Sequence, residues 1–338
     1  MRYVIIDIDI LPLSPFCDSH VVHSSIIHIS YAATDGLNNS HEYVTDRYMV
    51  MREGFVKTED GRIWCSVYGE HTKGIPLLVV HGGPGFISMP QTVSDLSAER
   101  PVYFYDQLGC GRSDRAKDSN RYSLHAYVDE LSRIISELHL RELVLVGFSW
   151  GCGLICEYML LKRPNNVKGL ILSGPLLSSP VWEMDQRENI AKMPGTLIEA
   201  IEESERNHDY GERYQHAMIE YYKRFVCRLD PWPDYLRNAM ESMNNEIYLK
   251  MWGQSEFTVT GELKDFDLLP RLHEIKVPVL LICGDNDEAG VKSVKDFQTA
   301  FGDAYMAVIP YSSHMHHIEQ PEIYKTIVNS FLRDLQNR

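Results

Sequence analysis

One segment constrains this chain more than any other: Val144-Leu145-Val146-Gly147-Phe148-Ser149-Trp150-Gly151. The run ending at Val146 reads as a buried strand, and Leu154 to Leu161 reads as a helix. A Gly-x-Ser-x-Gly joins them without a spacer. A strand that turns directly into a helix bends sharply, and glycines flanking the bend avoid clashes that bulkier residues would make. Ser149 at the apex would project its hydroxyl from the sheet edge. The helix N-terminus behind it would supply N–H groups and a dipole that favour developing negative charge. The pentapeptide alone is a weak signal, and its strand-before, helix-after context makes it strong. The competing reading is a phosphate-binding or merely tight turn, but the Gly-rich loops lack the Lys-Ser/Thr of a phosphate loop.

The rest of the chain fits around this turn. Short apolar runs at 76–80, 102–105, 143–146, 169–172, 279–282 and 305–309 have the continuous hydrophobicity of strands buried on both faces, as in a parallel sheet. Helical spacing is read at 124–138, 151–163 and 321–335. Alternating strand and helix predicts a doubly wound α/β core. Ahead of it, 55–58 and 63–68 flank Glu59-Asp60-Gly61-Arg62, whose Asp-Gly turn predicts a hairpin. From about Pro175 to Gly261 no strand run occurs. Helical patterns at 182–206, 212–229 and 233–252 predict a helical cap inserted in the core. The expected organisation is an N-terminal extension at 1–48 without assigned function, a core at 49–174 and 262–338, and a cap at 175–261.

A serine hydroxyl is a weak nucleophile until a base takes its proton and an acid orients that base. The order expected around such a turn is Ser, then Asp or Glu, then His. After the strand ending at Ile282 come Asp285, Asp287 and Glu288, all three candidates for the acid. After Ile309 come His314, His316 and His317. His314 is the earliest and is read as the base; His316 and His317 are read as packing or surface residues at a helix start. A metal cluster is disfavoured because no partner has typical ligand spacing. Leu77-Leu78-Val79-Val80 runs into His81-Gly82-Gly83-Pro84-Gly85. Backbone N–H groups of Gly83 and Trp150 are the expected donors to an oxyanion, with His81 bracing the loop. Asp106-Gln107-Leu108-Gly109-Cys110-Gly111-Arg112-Ser113 is read as structural support.

Composition narrows the partners. The formal net charge of −14 argues against nucleic acid and against an anionic membrane surface. Seven scattered cysteines without a Cys-x-x-Cys pair read as buried thiols of a reducing compartment. The apolar N-terminus carries Asp7 and Asp9, unlike a secretory signal, and no run approaches the ~20 apolar residues of a membrane span. A cytoplasmic location follows. No metal, nucleotide or redox cofactor is implied, and oligomeric state is not readable.

From about Gly54 to Leu335 the chain resembles the proline iminopeptidase family of α/β hydrolases. The resemblance is carried by His81–Gly85, Asp106–Asp114, Gly147–Gly151, Glu256-Phe257-Thr258-Val259-Thr260-Gly261 and Gly284-Asp285-Asn286-Asp287-Glu288. It implies an α/β-hydrolase fold with a mostly parallel central sheet and an inserted helical cap. It selects Asp287 as the acid and His314 as the base. It further implies that Glu256 and Glu288, helped by Tyr248, bind the substrate's free α-amino group. The implied activity is a serine aminopeptidase releasing an N-terminal proline or another small or apolar residue from short peptides or amino-acid amides. A carboxylesterase or lactonase on the same fold is the alternative, and a non-catalytic binding protein a third. Cys152 and Cys156 after the turn, and Asn286 with Ala289-Gly290-Val291 in the acid loop, depart from the family pattern. They leave side-chain preference open.

Overall fold

The period-two alternation of the apolar runs separates two cores on opposite faces of one sheet. The computed structural model describes residues 51–337; the extension expected at 1–48 lies outside them. The strands are β1 (Met51–Lys57), β2 (Arg62–Tyr68), β3 (Leu77–Val80), β4 (Val102–Tyr105), β5 (Leu143–Phe148), β6 (Val167–Ser173), β7 (Val279–Gly284) and β8 (Ala304–Ile309). They form one sheet in the order β1-β2-β4-β3-β5-β6-β7-β8. β1 with β2 is the antiparallel hairpin read from the Asp-Gly turn, and β2 runs antiparallel to β4. All other pairings are parallel.

Along β3, Leu78 and Val80 enter one core while Leu77 and Val79 enter the other; β5 divides Leu143 and Leu145 from Val144 and Val146 in the same way. Helices α1 (Leu124–Glu137) and α2 (Trp150–Lys162) cover the first face. α2 is buried on all sides through Leu160, as an apolar-all-round sequence requires. Cys152 and Cys156 are wholly buried there, and a Cβ on neighbouring Gly153 would lie 2.7 Å from Leu176 O. The thiols thus fill a tightly packed position.

Between β6 and β7 come α3 (Ser179–Ile190), α4 (Gly195–Asn207), α5 (Glu212–Phe225), α6 (Asp234–Glu241) and α7 (Asn245–Met251). The pattern at 182–206 is two helices because Pro194, which has no N–H to continue the ladder, sits at the N-cap of α4. The pattern at 233–252 divides at Asn244, whose side chain accepts from Glu246 N and caps α7. The same residue donates its backbone N–H to Gly85 O at 2.8 Å and its amide to Gly109 O at 2.9 Å. It thereby ties α7 to two loops at the sheet's C-terminal edge. α8 (Val291–Ala300), α9 (His316–Glu319) and α10 (Pro321–Gln336) complete the chain, with α10 covering the second core. No helix among the described residues is long and apolar enough to cross a membrane.

Candidate active site

Ser149 lies between β5 and α2 with φ 52° and ψ −118°. A non-glycine residue at such angles stores roughly 1–3 kcal/mol of strain, and only surrounding structure can hold it. The hold is visible on both sides. Ser149 N donates to Ser173 O at 2.9 Å, and α2 presses so close to β3 that a Cβ on Gly151 would lie 2.2 Å from Val80 O. Only glycine fits there, which is why the turn takes its sequence form.

The glycine loop after β3 meets this turn directly: a Cβ on Gly82 would lie 3.2 Å from Ser149 Cβ. Gly82, Gly83 and Ser149 line one cavity. Trp150 opens α2, where helix N–H groups have no partner within the helix. His81 braces the loop. Its Nε2 accepts from Gln107 N at 2.9 Å, so its Nδ1 carries the proton and donates to Gly82 O at 2.9 Å. Burial holds its pKa below the usual imidazole value. Gln107 completes the brace, donating to His81 O and accepting from Trp150 Nε1 at 3.2 Å. Asp106, wholly buried, pairs with Arg112 at 2.7 Å and accepts from Ser88, which keeps the 106–113 segment folded against this network.

The three candidate acids separate in space. Asp285 accepts from Tyr311 N and Ser312 N at 3.0 and 3.1 Å and so fastens the loop after β8. Asp287 Oδ1 lies 2.8 Å from His314 Nδ1 and accepts from Ala289 N, while Oδ2 accepts from Gly284 N at 3.0 Å. Burial alone would raise its pKa, but His314 and His316 hold it well below the carboxylate range. Glu288 turns the other way. Its Oε1 lies 3.4 Å from His314 Nε2, and its Oε2 is buried with no hydrogen-bond partner. Burial and the neighbouring Glu256 and Asp287 raise its pKa, against the opposing pull of His314.

Glu256 accepts from Tyr248 OH through Oε2, and its own N–H donates to Tyr214 OH at 2.8 Å. Trp252 Nε1 donates to Glu256 O at 3.2 Å. Burial raises the Glu256 pKa despite the tyrosine hydroxyls. Ser149, Gly83, His314, Tyr248, Glu256 and Glu288 all border the same cavity of about 130 Å³.

Several residues around this site carry no signal in the linear sequence. Gly174, the residue after β6, has φ 57°, and a Cβ there would lie 2.6 Å from the His314 ring. Trp182 meets His314 edge-on at 5.8 Å. Asn189 donates to Asp287 O and Gln186 to Glu288 O, so α3 grips the backbone of the acid loop. His316 and His317 are buried, not surface residues. His316 Nδ1 lies 3.4 Å from Asp287 Oδ2, and His317 packs on Phe148 at 4.4 Å. The linear sequence hints at them only through a glycine just after a strand and a glutamine two residues past β4.

Known proteins share this arrangement of chain. Residues 75–321 match the family model described as the alpha/beta hydrolase fold. A proline iminopeptidase of Heyndrickxia coagulans is 39% identical over 286 residues, covering 84% of this chain and 99% of that protein. The crystal structure of proline iminopeptidase from Mycobacterium smegmatis superposes with a TM-score of 0.77 at 29% identity, covering 84% of this chain and 98% of that one. The crystal structure of VinJ does so with a TM-score of 0.79 at 31% identity, covering 84% and 99%. With most of its described length matched to relatives that it spans almost from end to end, the chain belongs to the proline iminopeptidase family of α/β hydrolases.

Proposed function

We propose that this protein is a prolyl aminopeptidase-like serine hydrolase. It releases an N-terminal proline, or another small or apolar residue, from short peptides or amino-acid amides. Ser149 Oγ attacks the carbonyl of the first residue while His314 Nε2 takes its proton and Asp287 stabilises the imidazolium. The backbone N–H groups of Gly83 and Trp150 receive the oxyanion. The imidazolium returns the proton to the leaving amine, and water then hydrolyses the acyl-enzyme by the same route.

The observation that carries the free-amine requirement is the buried, unpartnered Oε2 of Glu288 in a cavity shared with Glu256. The His314 ring is the one protein group of opposite charge beside these two desolvated carboxylates, and a cation from the substrate, bound by charge-assisted hydrogen bonds, would take up the acceptor that it leaves open. An α-ammonium fits, and Tyr248 orients Glu256 toward it. Leu176, Trp182 and Trp252 supply apolar surface for a single small residue. Residues 175–261 act as the cap that brings Tyr248 and Glu256 over the core. The free, buried state of the six described cysteines supports a cytoplasmic location.

The test compares prolyl anilides with their N-acetylated counterparts and with N-acyl esters. Free-amine substrates should lead, and Ser149→Ala should lower turnover by roughly 10⁴-fold or more. Glu288→Gln should impair free-amine substrates selectively. Indifference to blocking the amine, or higher efficiency on N-acyl esters, would replace this reading with a carboxylesterase or lactonase.

A further inference from the structure

The cavity has a second apolar wall that binding of the first residue does not use. The wall beside the carboxylates belongs to the main core: Leu176, Trp182 and Trp252, with Tyr248 packed on it. Trp252 bonds to Glu256 and Trp182 touches His314, so this wall flanks the position of the first residue. The other wall belongs to a separate cluster, formed by Phe86, Ile87, Met89, Met240, Met243 and Met315. These side chains come from the loop after β3, from α6 and the turn after it, and from the residue following His314. Glu256 and Glu288 are the acidic groups facing the cavity; among the described residues lining it there is no lysine or arginine.

We propose that the methionine wall is the leaving-group subsite, and that it selects substrates whose leaving amine is apolar and uncharged. These are aryl or alkyl amides of the first residue, and peptides whose second residue is apolar and whose carboxylate lies well beyond the scissile bond. The inference rests on the aminopeptidase reading. With the ammonium at Glu256 and Glu288 and the carbonyl over Ser149, the rest of the substrate extends away from the tryptophan wall and along the other one. Methionine side chains are flexible and polarisable, so this surface adapts to varied apolar shapes. A free dipeptide instead brings its carboxylate one residue past the scissile bond. There it meets no cation, loses water without compensation, and is repelled by the two glutamates.

The experiment uses the full chain and three substrates with one first residue: prolyl-2-naphthylamide, prolyl-leucinamide and the free dipeptide prolyl-leucine. The expected result is a kcat/KM for the dipeptide about tenfold or more below that of the leucinamide. Met243→Lys places a cation on the wall. It should raise the dipeptide-to-amide ratio and lower use of the naphthylamide. Met240→Lys on α6 serves the same purpose if the first variant does not fold, with labelling of Ser149 by a fluorophosphonate as the check of an intact site. Equal efficiency on dipeptide and amide, or an unchanged ratio in a folded lysine variant, overturns the subsite assignment while the aminopeptidase reading stands. Failure to turn over any of the three prolyl substrates, with N-acyl esters cleaved, overturns both.

Discussion

His314 Nε2 lies 3.4 Å from Oε1 of Glu288, on the ring edge opposite its 2.8 Å contact with Asp287. One buried imidazole is therefore held between two carboxylates. Burial alone would lower its pKa, but Glu288, Asp287 and Glu256 together raise it to about 9. An imidazolium cannot take the proton of Ser149. In the proposed mechanism, a substrate ammonium that claimed Glu288 would remove the anion holding that proton in place, and binding of the amine would then make His314 ready to act as the base.

The pH dependence follows with a definite sign. Because the folded-state pKa is raised, the neutral, competent imidazole appears only as pH rises toward about 9 in the empty site. Substrates without an amine should therefore show a rate that climbs through that range. In Glu288→Gln the climb should move down by about one unit or more, since the main opposing charge is lost. Free-amine substrates should lose about tenfold or more in kcat/KM at neutral pH in the same variant. Profiles of kcat/KM against pH for an N-acetyl ester and a prolyl anilide measure both; an acid limb that does not move refutes the coupling.

His316 lies against the second oxygen of Asp287. Its Nδ1 lies 3.2 Å from Ser313 O and 3.4 Å from Asp287 Oδ2. The His316 ring beside Asp287 favours the ionised carboxylate, so His316→Phe should lower kcat by about tenfold with little change in KM. His316→Asn, which retains a donor, should recover part of the loss. Steady-state kinetics of the two variants decide it, because a purely structural role would affect them alike.

Gly174 sets the position of the His314 ring. Its φ is 57°, and a Cβ at this position would lie 2.6 Å from His314, which leaves no room for alanine without moving the ring. Gly174→Ala should reduce kcat by about 10²-fold, the usual cost of displacing a reacting group by ~1 Å. Stability should fall by only about 1–2 kcal/mol. Thermal melts beside turnover measurements separate the two effects.

A stability prediction concerns Glu130, buried beneath the 106–113 segment, where both carboxyl oxygens accept from Leu108 N. Burial pushes its pKa up from 4.5 to about 8. The unfolded chain ionises this group above 4.5 while the folded chain keeps the proton, so stability falls as pH rises from about 4.5 to about 8. Glu130→Gln retains the acceptor for Leu108 without the charge. It should stabilise the protein by about 1–3 kcal/mol at pH 8 and leave it nearly unchanged at acid pH. Denaturant titrations at both pH values test the difference.

What the sequence determined by itself is local. Ser149 was legible because strand, turn and helix are contiguous, and their apolar periodicity is set by covalent spacing. The sheet strands and the hairpin were legible for the same reason, whereas the helix pattern at 182–206 concealed the break at Pro194. Position in the chain could narrow the acid to Asp285, Asp287 and Glu288 but could not separate them. Family resemblance selected Asp287, and in the fold the three differ in their contacts: backbone N–H groups of another loop occupy Asp285, while Asp287 and Glu288 face opposite edges of the His314 ring. The brace from His81 through Gln107 to Trp150, the glycine wall at Gly174 and the second contact of Asp287 with His316 join residues far apart in the chain or on different elements. Such contacts depend on distances of a few ångströms through space, which only the packed sheet and its helices decide.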